Sequence, residues 1–289
     1  MNTVSIALFA HNEEASIGAA IDAVTASAGP IADLQVHVLA NGCTDRTVEV
    51  AQAAVRRDPR VVIHEIVVAD KCNAWNAYVH ELAPEAEIHV FMDGDMRCSE
   101  RAVERTVAAL RAKPEANALA GVPMSGRNRA EYVRIMTEWG WLFGCYYALQ
   151  GRHLARIRVT GVRLPIGVFG DDHFVTRIAR SSLDGDWDEA ASRLLIDPEI
   201  GYVFDSLRPW SPRDLRLYLR RRVSYFLRQR QLDVLDAVPL RELPRDTRAL
   251  DARLIETLRT DPRFAWSPWT RPAIRRLQAR LARSAVAAG

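Results

Sequence analysis

Five short apolar runs, separated by segments of helical period, constrain this chain more than any other feature. Residues 4–10, 36–40, 61–68, 88–92 and 118–122 have the length and apolarity of buried strands. Between them, Ile17, Ala20, Ile21 and Val24 recur at helical spacing, as do Val48, Ala51 and Val55, and later Val103, Val107 and Leu110. Such alternation predicts an α/β fold, Rossmann-like, with a mostly parallel sheet and helices on both faces. Asn12, Thr44 and Ser99 stand where helix N-caps belong.

Beyond residue 125 the pattern loosens. Residues 128–150 read as helical and aromatic, and a Gly- and Pro-containing stretch then leads to a helix over 172–180. Ser211 followed by Pro212 marks a helix start, with the helix running to Gln231. Pro239, Pro244, Pro262, Pro268 and Pro272 predict an irregular connector. A final amphipathic helix sets Ile274, Leu277 and Leu281 against Arg275, Arg276, Arg280 and Arg283. The expected organisation is a domain over 1–231, with halves at 1–125 and 126–231, and a C-terminal helical extension over 232–289.

At 289 residues and 48% hydrophobic content, the chain can bury a full core. No apolar run approaches the ~20 residues that span a bilayer, and the start lacks the basic region of a signal peptide, so a cytoplasmic location is expected. Cys43, Cys72, Cys98 and Cys145 form no CxxC pair, which argues against a zinc site or a disulfide framework. The net charge of +3 hides an asymmetry: 19 arginines face 8 acidic residues from Arg208 onward, while 20 basic and 28 acidic residues precede it. A basic tail on an acidic body suits phosphate groups, whether of a nucleotide, an anionic lipid surface or a nucleic acid. Nothing but that tail speaks for nucleic acid, which is not an expected partner.

In an open parallel sheet, ligands bind at the carboxyl ends of the strands. Here those ends read "HNEE", "NGCTD", "ADKCN" and "DGD". Asp93 and Asp95, separated by one glycine, repel each other unless a cation or a proton intervenes. A phosphatase of the haloacid dehalogenase type would place such a motif in its first strand and continue it with Thr or Val. A P-loop ATPase would carry GxxxxGK[ST], which this chain lacks. A divalent cation bridging carboxylate and diphosphate fits, and so does a plain Asp-Gly turn.

The ordered set "VSIALFAHNEEASI", "VLANGCTDRTVEVA", "ADKCNAWNAY", "HVFMDGDMR" and "FGDDHFVTRI" resembles the family 2 glycosyltransferases, which have the GT-A fold. The resemblance runs over residues 4–231. It implies a nucleotide-sugar donor, UDP-linked by preference, and a Mg2+ or Mn2+ cofactor. By position, it places Asn12, Glu13 and Asn41 at the base and ribose, and Lys71, Asp93 and Arg222 at the donor. Asp95, with Asp93, would bind the metal. Glu13 and Glu14 also suit the first turn of a helix, and Asp45 suits its cap. The family usually has acids where Ala40 and Asn41 stand, and the Asn41 amide can donate as well as accept, so the base preference stays open.

Gly170-Asp171-Asp172 takes the place of the family's Glu-Asp motif, which implies Asp172 as the base of an inverting transfer and Asp171 as its neighbour. A pair of acids opening a helix is the alternative. The Gln-x-x-Arg-Trp of processive members is unmatched near Arg220–Arg222, which implies a single addition rather than a polymer synthase. The acceptor would be a saccharide, a lipid-linked compound or a small molecule. Trp139, Trp141, Tyr146 and Tyr147 suit either an acceptor platform or the core, with the core preferred. The last helix suits packing or peripheral contact with an anionic membrane at its inner face. Two rivals remain: a noncatalytic nucleotide-sugar or membrane-surface binding protein on this fold, and a nucleotidyltransferase.

Overall fold

The computed structural model describes residues 3–31, 33–185, 189–204 and 210–286. It divides into two compact units: Met1–Leu164 with Asp171–Ser206, and Pro165–Gly170 with Leu207–Gly289.

The first unit is built on an eight-stranded sheet: β1 (Val4–Ala10), β2 (Leu34–Asn41), β3 (Val61–Ile66), β4 (Ile88–Asp93), β5 (Arg97–Cys98), β6 (Ala118–Pro123), β7 (Tyr146–Gln150) and β8 (Leu194–Val203). The strand order is β3-β2-β1-β4-β7-β6-β8-β5. Strands β1 to β4 pair in parallel, whereas β7 runs antiparallel to both β4 and β6. The expected sheet is therefore parallel in its first half and mixed overall. Its helices are α1 (Ile17–Ser27), α2 (Thr47–Val55), α3 (Lys71–Ala77), α4 (Ala102–Ala112), α5 (Arg129–Trp139), α6 (Gly151–Thr160) and α7 (Asp171–Arg180).

Side-chain alternation along the strands builds two different layers. Val4, Ile6, Leu8 and Ala10 of β1 join Val36, Val38, Val90 and Met92 in an aliphatic core with Ile17, Ile21 and Val24 of α1 and Val103 and Leu110 of α4. The other face is aromatic and polar: Phe91 stacks on Tyr147 at 4.7 Å and meets Tyr78 edge-on at 5.4 Å. Ser5, Tyr78 and His89 form a buried hydrogen-bonded chain there.

Several expectations need correction. The third strand stops at Ile66, because Val67 and Val68 are exposed on the way to Asp70, which caps α3 through the Asn73 N–H. Asn12, Thr44 and Ser99 cap no helix: α1, α2 and α4 begin at Ile17, Thr47 and Ala102. Asn12 instead accepts from the Thr44 N–H at 2.8 Å, and Ser99 from the Gly201 N–H at 3.2 Å, so these side chains tie loops together. Residues 128–150 are not one helix, since α5 ends at Gly140 in the left-handed conformation and Tyr146–Gln150 form strand β7. Tyr146 and Tyr147 belong to the core, and Trp139 is exposed. All four cysteines are free thiols.

The second unit holds α8 (Pro212–Leu235), α9 (Arg248–Thr260) and α10 (Thr270–Val286). Ser211 caps α8 as expected, accepting from the Asp214 N–H. The Pro-rich connector is partly helical, because Leu250, Leu254, Ile255 and Leu258 of α9 supply a buried stripe between its prolines. Buried Asp251 accepts from Gln231 and Thr247 at 3.0 Å each and pairs with Arg280. Arg276 and Arg280 pack over the Phe169 ring, 4.7 and 4.6 Å from its centroid. Arg276 and Arg280 of α10 are thus occupied in packing this unit, whereas Arg271, Arg275 and Arg283 are exposed.

Candidate active site

Strands β1 and β4 are parallel neighbours, so their carboxyl ends open on one edge. Asp93 closes β4, and the Gly94 N–H donates to the Phe9 carbonyl at 2.8 Å. A Cβ at position 94 would stand 2.9 Å from that oxygen, so the turn that presents Asp95 requires glycine. The turn between the two carboxylates is thus pinned to the end of β1.

Lys71 opens α3, beside the cap formed by Asp70. Its ammonium is 2.6 Å from Asp93 Oδ1 and 3.2 Å from Asp171 Oδ2, and it donates to the Gly144 carbonyl at 3.0 Å. At Gly144, a Cβ would meet Asp171 Oδ2 at 3.2 Å, Lys71 Nζ at 3.3 Å and Asp172 Cβ at 3.6 Å. A glycine there lets α3 and α7 bring their charged ends together. Asp171 and Asp172 begin α7, where the N-terminal dipole favours acids. Asp172 is buried, and its Oδ1 accepts from the His173 N–H at 3.0 Å. His173 packs against Trp141, and Arg177 pairs with Glu189 at 3.0 Å.

The acids outnumber the bases around this corner. Burial pushes the Asp93 carboxyl up to about 6, with Lys71 opposing and Asp95 and Asp171 adding to the rise. Lys71 itself is held charged: burial disfavours the ammonium, but Asp171 and Asp93 more than compensate. Glu13 is raised by burial, against its bond from Ser16, and further by the Asp93 and Asp45 charges. Among the described residues, no group of three or more His, Cys, Asp or Glu side chains could hold a metal ion by itself. The hard oxygens of Asp93 and Asp95 fit a Mg2+ or Mn2+ that shares its shell with phosphate oxygens, the usual mode for these ions.

At the neighbouring strand ends, Asn12 adopts a left-handed backbone with φ of 58°. Asn41 ends β2 and donates its amide to the Ala10 carbonyl at 3.0 Å, which leaves its own amide oxygen as the acceptor. Asp45 accepts from the N–H of Thr47, the first residue of α2, in keeping with a capping role. A hollow lined by Ala40, Gly42, Cys43, Val48 and Glu65 opens beside β2 and β3. Asn76, by contrast, is structural: it exchanges hydrogen bonds of 2.8 and 2.9 Å with the Leu164 backbone. Arg222 belongs to the second unit, where it packs over Trp269 at 5.6 Å.

Sequence reasoning missed Gly144, because "LFGCYY" reads as part of an aromatic helical stretch. The buried aromatic group of Trp75, Phe91 and Tyr147, with Trp75 Nε1 donating to the Tyr147 hydroxyl at 2.9 Å, was also not foreseen.

The family model described as Glycosyl transferase family 2 matches residues 5–168. Among solved structures, a mannosyltransferase from Pyrobaculum calidifontis in complex with GDP-Man and Mn2+ is similar, with a TM-score of 0.62 at 20% identity, covering 99% of this chain and 75% of that one. TarS 1-349 of S. aureus gives a TM-score of 0.56 at 15% identity, covering 92% and 74%. Glucosyl-3-phosphoglycerate synthase from Mycobacterium tuberculosis, in complex with Mn2+, UDP-glucose and phosphoglyceric acid, gives 0.53 at 19%, covering 78% and 79%. At these identities the likeness shows the fold, which is GT-A. No curated protein matches the sequence.

Proposed function

The chain belongs to glycosyl transferase family 2, and from that premise we propose that it is a metal-dependent, inverting glycosyltransferase that adds a single sugar from a nucleotide donor to an acceptor hydroxyl. The observation that carries this reading is the cluster of Lys71, Asp93, Asp171 and Asp172 at the carboxyl edge of β4. It sets Asp93, whose turn also carries Asp95, beside Asp171 and Asp172, a pair suited to proton removal.

Asn12 and Glu13 contact the ribose and base, and the Asn41 amide oxygen accepts the imide proton of the base, uracil by preference. Lys71 neutralises donor phosphates. Asp95, with Asp93, would hold Mg2+ or Mn2+, which supplies positive charge to the departing diphosphate. Asp172 takes the proton of the acceptor hydroxyl as its oxygen bonds to the anomeric carbon. The bond from that carbon to the diphosphate breaks, its electron pair leaves with the nucleoside diphosphate, and the anomeric configuration inverts. Residues 1–125 serve the donor and 126–231 the acceptor. A saccharide, lipid-linked or small-molecule acceptor in the cytoplasm, at the inner face of an anionic membrane, completes the reading.

Asp95→Ala and Asp172→Asn should each abolish transfer, measured as release of nucleoside diphosphate with acceptor present. Donor binding should survive Asp172→Asn. Unaltered turnover by Asp172→Asn would remove it as the base.

A further inference from the structure

Helix α8 carries two opposed faces, one buried and one with exposed apolar side chains. Val223, Leu227, Gln231 and Leu235 are buried along one side. On the other, Leu215 (51%), Tyr218 (51%), Leu219 (46%) and Tyr225 (56%) are open to solvent. Their spacing of three, four and seven residues puts them on an arc of about 120°, the width of an amphipathic stripe. A contiguous exposed apolar stripe of this kind marks a docking surface.

The charge around the stripe says what it docks to. From Leu215 onward, Arg216, Arg220, Arg221 and Arg222 are exposed on this helix, whereas Arg230 pairs with Asp233 at 2.8 Å. A neighbouring loop extends the same face: Phe226 meets Phe264 edge-on at 6.1 Å, and Arg222 covers Trp269 at 5.6 Å. Between those two anchors, Trp266 is 95% exposed. Tyr and Trp rings, Leu side chains and flanking arginines are the chemistry of the boundary between phospholipid headgroups and acyl chains. Among the described residues no helix is long and apolar enough to cross a membrane, so α8 would lie on a bilayer rather than span it.

We propose that the exposed face of α8, with Trp266, docks the protein on an anionic phospholipid bilayer. The apolar stripe enters the acyl boundary, and the exposed Arg216, Arg220 and Arg221 meet the headgroup phosphates. This assigns the membrane contact to α8. The arginines Arg276 and Arg280 of α10 are already engaged with Ser224 and Asp251. The surface stands on its own chemistry and rests on the transferase reading only for its purpose, which is to reach an acceptor at a membrane.

Flotation of the full chain with phosphatidylcholine vesicles, with and without 30 mol% (about one lipid in three) phosphatidylglycerol, tests this without donor or metal. Binding should require the anionic lipid and weaken as salt rises. The Leu215→Ser/Tyr218→Ser/Leu219→Ser variant should lose at least about tenfold in bound fraction while keeping its melting temperature, because those side chains are exposed. Trp266→Ser should weaken binding by a smaller factor. Absence of binding, equal binding to neutral vesicles, or undiminished binding by the triple variant would each overturn the proposal. Vesicle binding and sugar transfer are read separately, so failure of one leaves the other standing.

Discussion

Lys71 Nζ is 2.6 Å from Asp93 Oδ1, so the lysine that opens α3 neutralises the acid that closes β4. The same ammonium reaches Asp171 at 3.2 Å, and all three side chains are less than a third exposed. Removing the cation leaves like charges facing each other in a partly buried corner. Lys71→Met should therefore lower stability by about 2 kcal/mol, less than the 3–5 typical of fully buried pairs. Mn2+ should raise the melting temperature of the variant more than that of the native protein, since a cation at Asp93 and Asp95 replaces the lost charge. Equal shifts in the two proteins would contradict this.

Gly144→Ala should cost transfer more than it costs folding. The added methyl lies in ordinary or tight contact with Lys71, Asp171 and Asp172, all flexible charged side chains, so it displaces them by tenths of an ångström. The expected result is a loss of roughly 10–100-fold in kcat with little change in melting temperature, as misplacement at a reacting centre is costly. Native-like kcat would show that the close approach at Gly144 is unimportant.

Arg280→Met should destabilise the second unit. Asp251, 1% exposed, would keep only its bonds from Gln231 and Thr247. Leaving a buried carboxylate without its cation costs about 3–5 kcal/mol. Denaturant unfolding should show that loss, and Arg280→Met/Asp251→Asn should recover part of it. No recovery would mean that the arginine acts through its packing on Phe169 and its bonds to Gly167 and Thr247, not through Asp251.

Three buried histidines make stability sensitive to acid. Burial, with neighbouring charges, lowers His37 and His153 to about 4 and His89 to about 3. Below the unfolded value of about 6.5, the unfolded chain takes up protons that the folded chain refuses. The stabilisation is complete above that pH and is lost as pH falls from there toward 3–4. At pH 5 each histidine should contribute a loss of about 2 kcal/mol relative to pH 7. His89→Gln should flatten the slope measured by urea unfolding; an unchanged slope would refute the assignment.

The strands that carry the site were legible because each is a short apolar run ending in polar residues, and the strand ends point to one edge by topology alone. Strand β7 was not legible: Tyr146–Gln150 is buried on both faces, so it lacks the alternation that separates a strand from a buried helix. The acid pairs could be named from sequence, but not their meeting. Lys71, Asp93 and Asp171 come from three elements separated by long stretches of chain, and only the folded sheet brings them together, with Lys71 5.4 Å from the Phe9 ring centroid. Gly94 looks like an ordinary turn glycine, and Gly144 like part of a helix, until a neighbouring oxygen or ammonium is seen to crowd the space of a Cβ.

The central claim is that the Asp93–Asp95 corner binds a nucleoside diphosphate through a divalent cation. Thermal unfolding of the native protein with UDP, GDP or neither, each with and without Mn2+, measures it directly, because a ligand of the folded state raises the melting temperature. UDP should stabilise the protein only when Mn2+ is present, and Asp95→Ala should abolish the shift. Stabilisation by no nucleotide, or by UDP equally with and without Mn2+, would contradict the account.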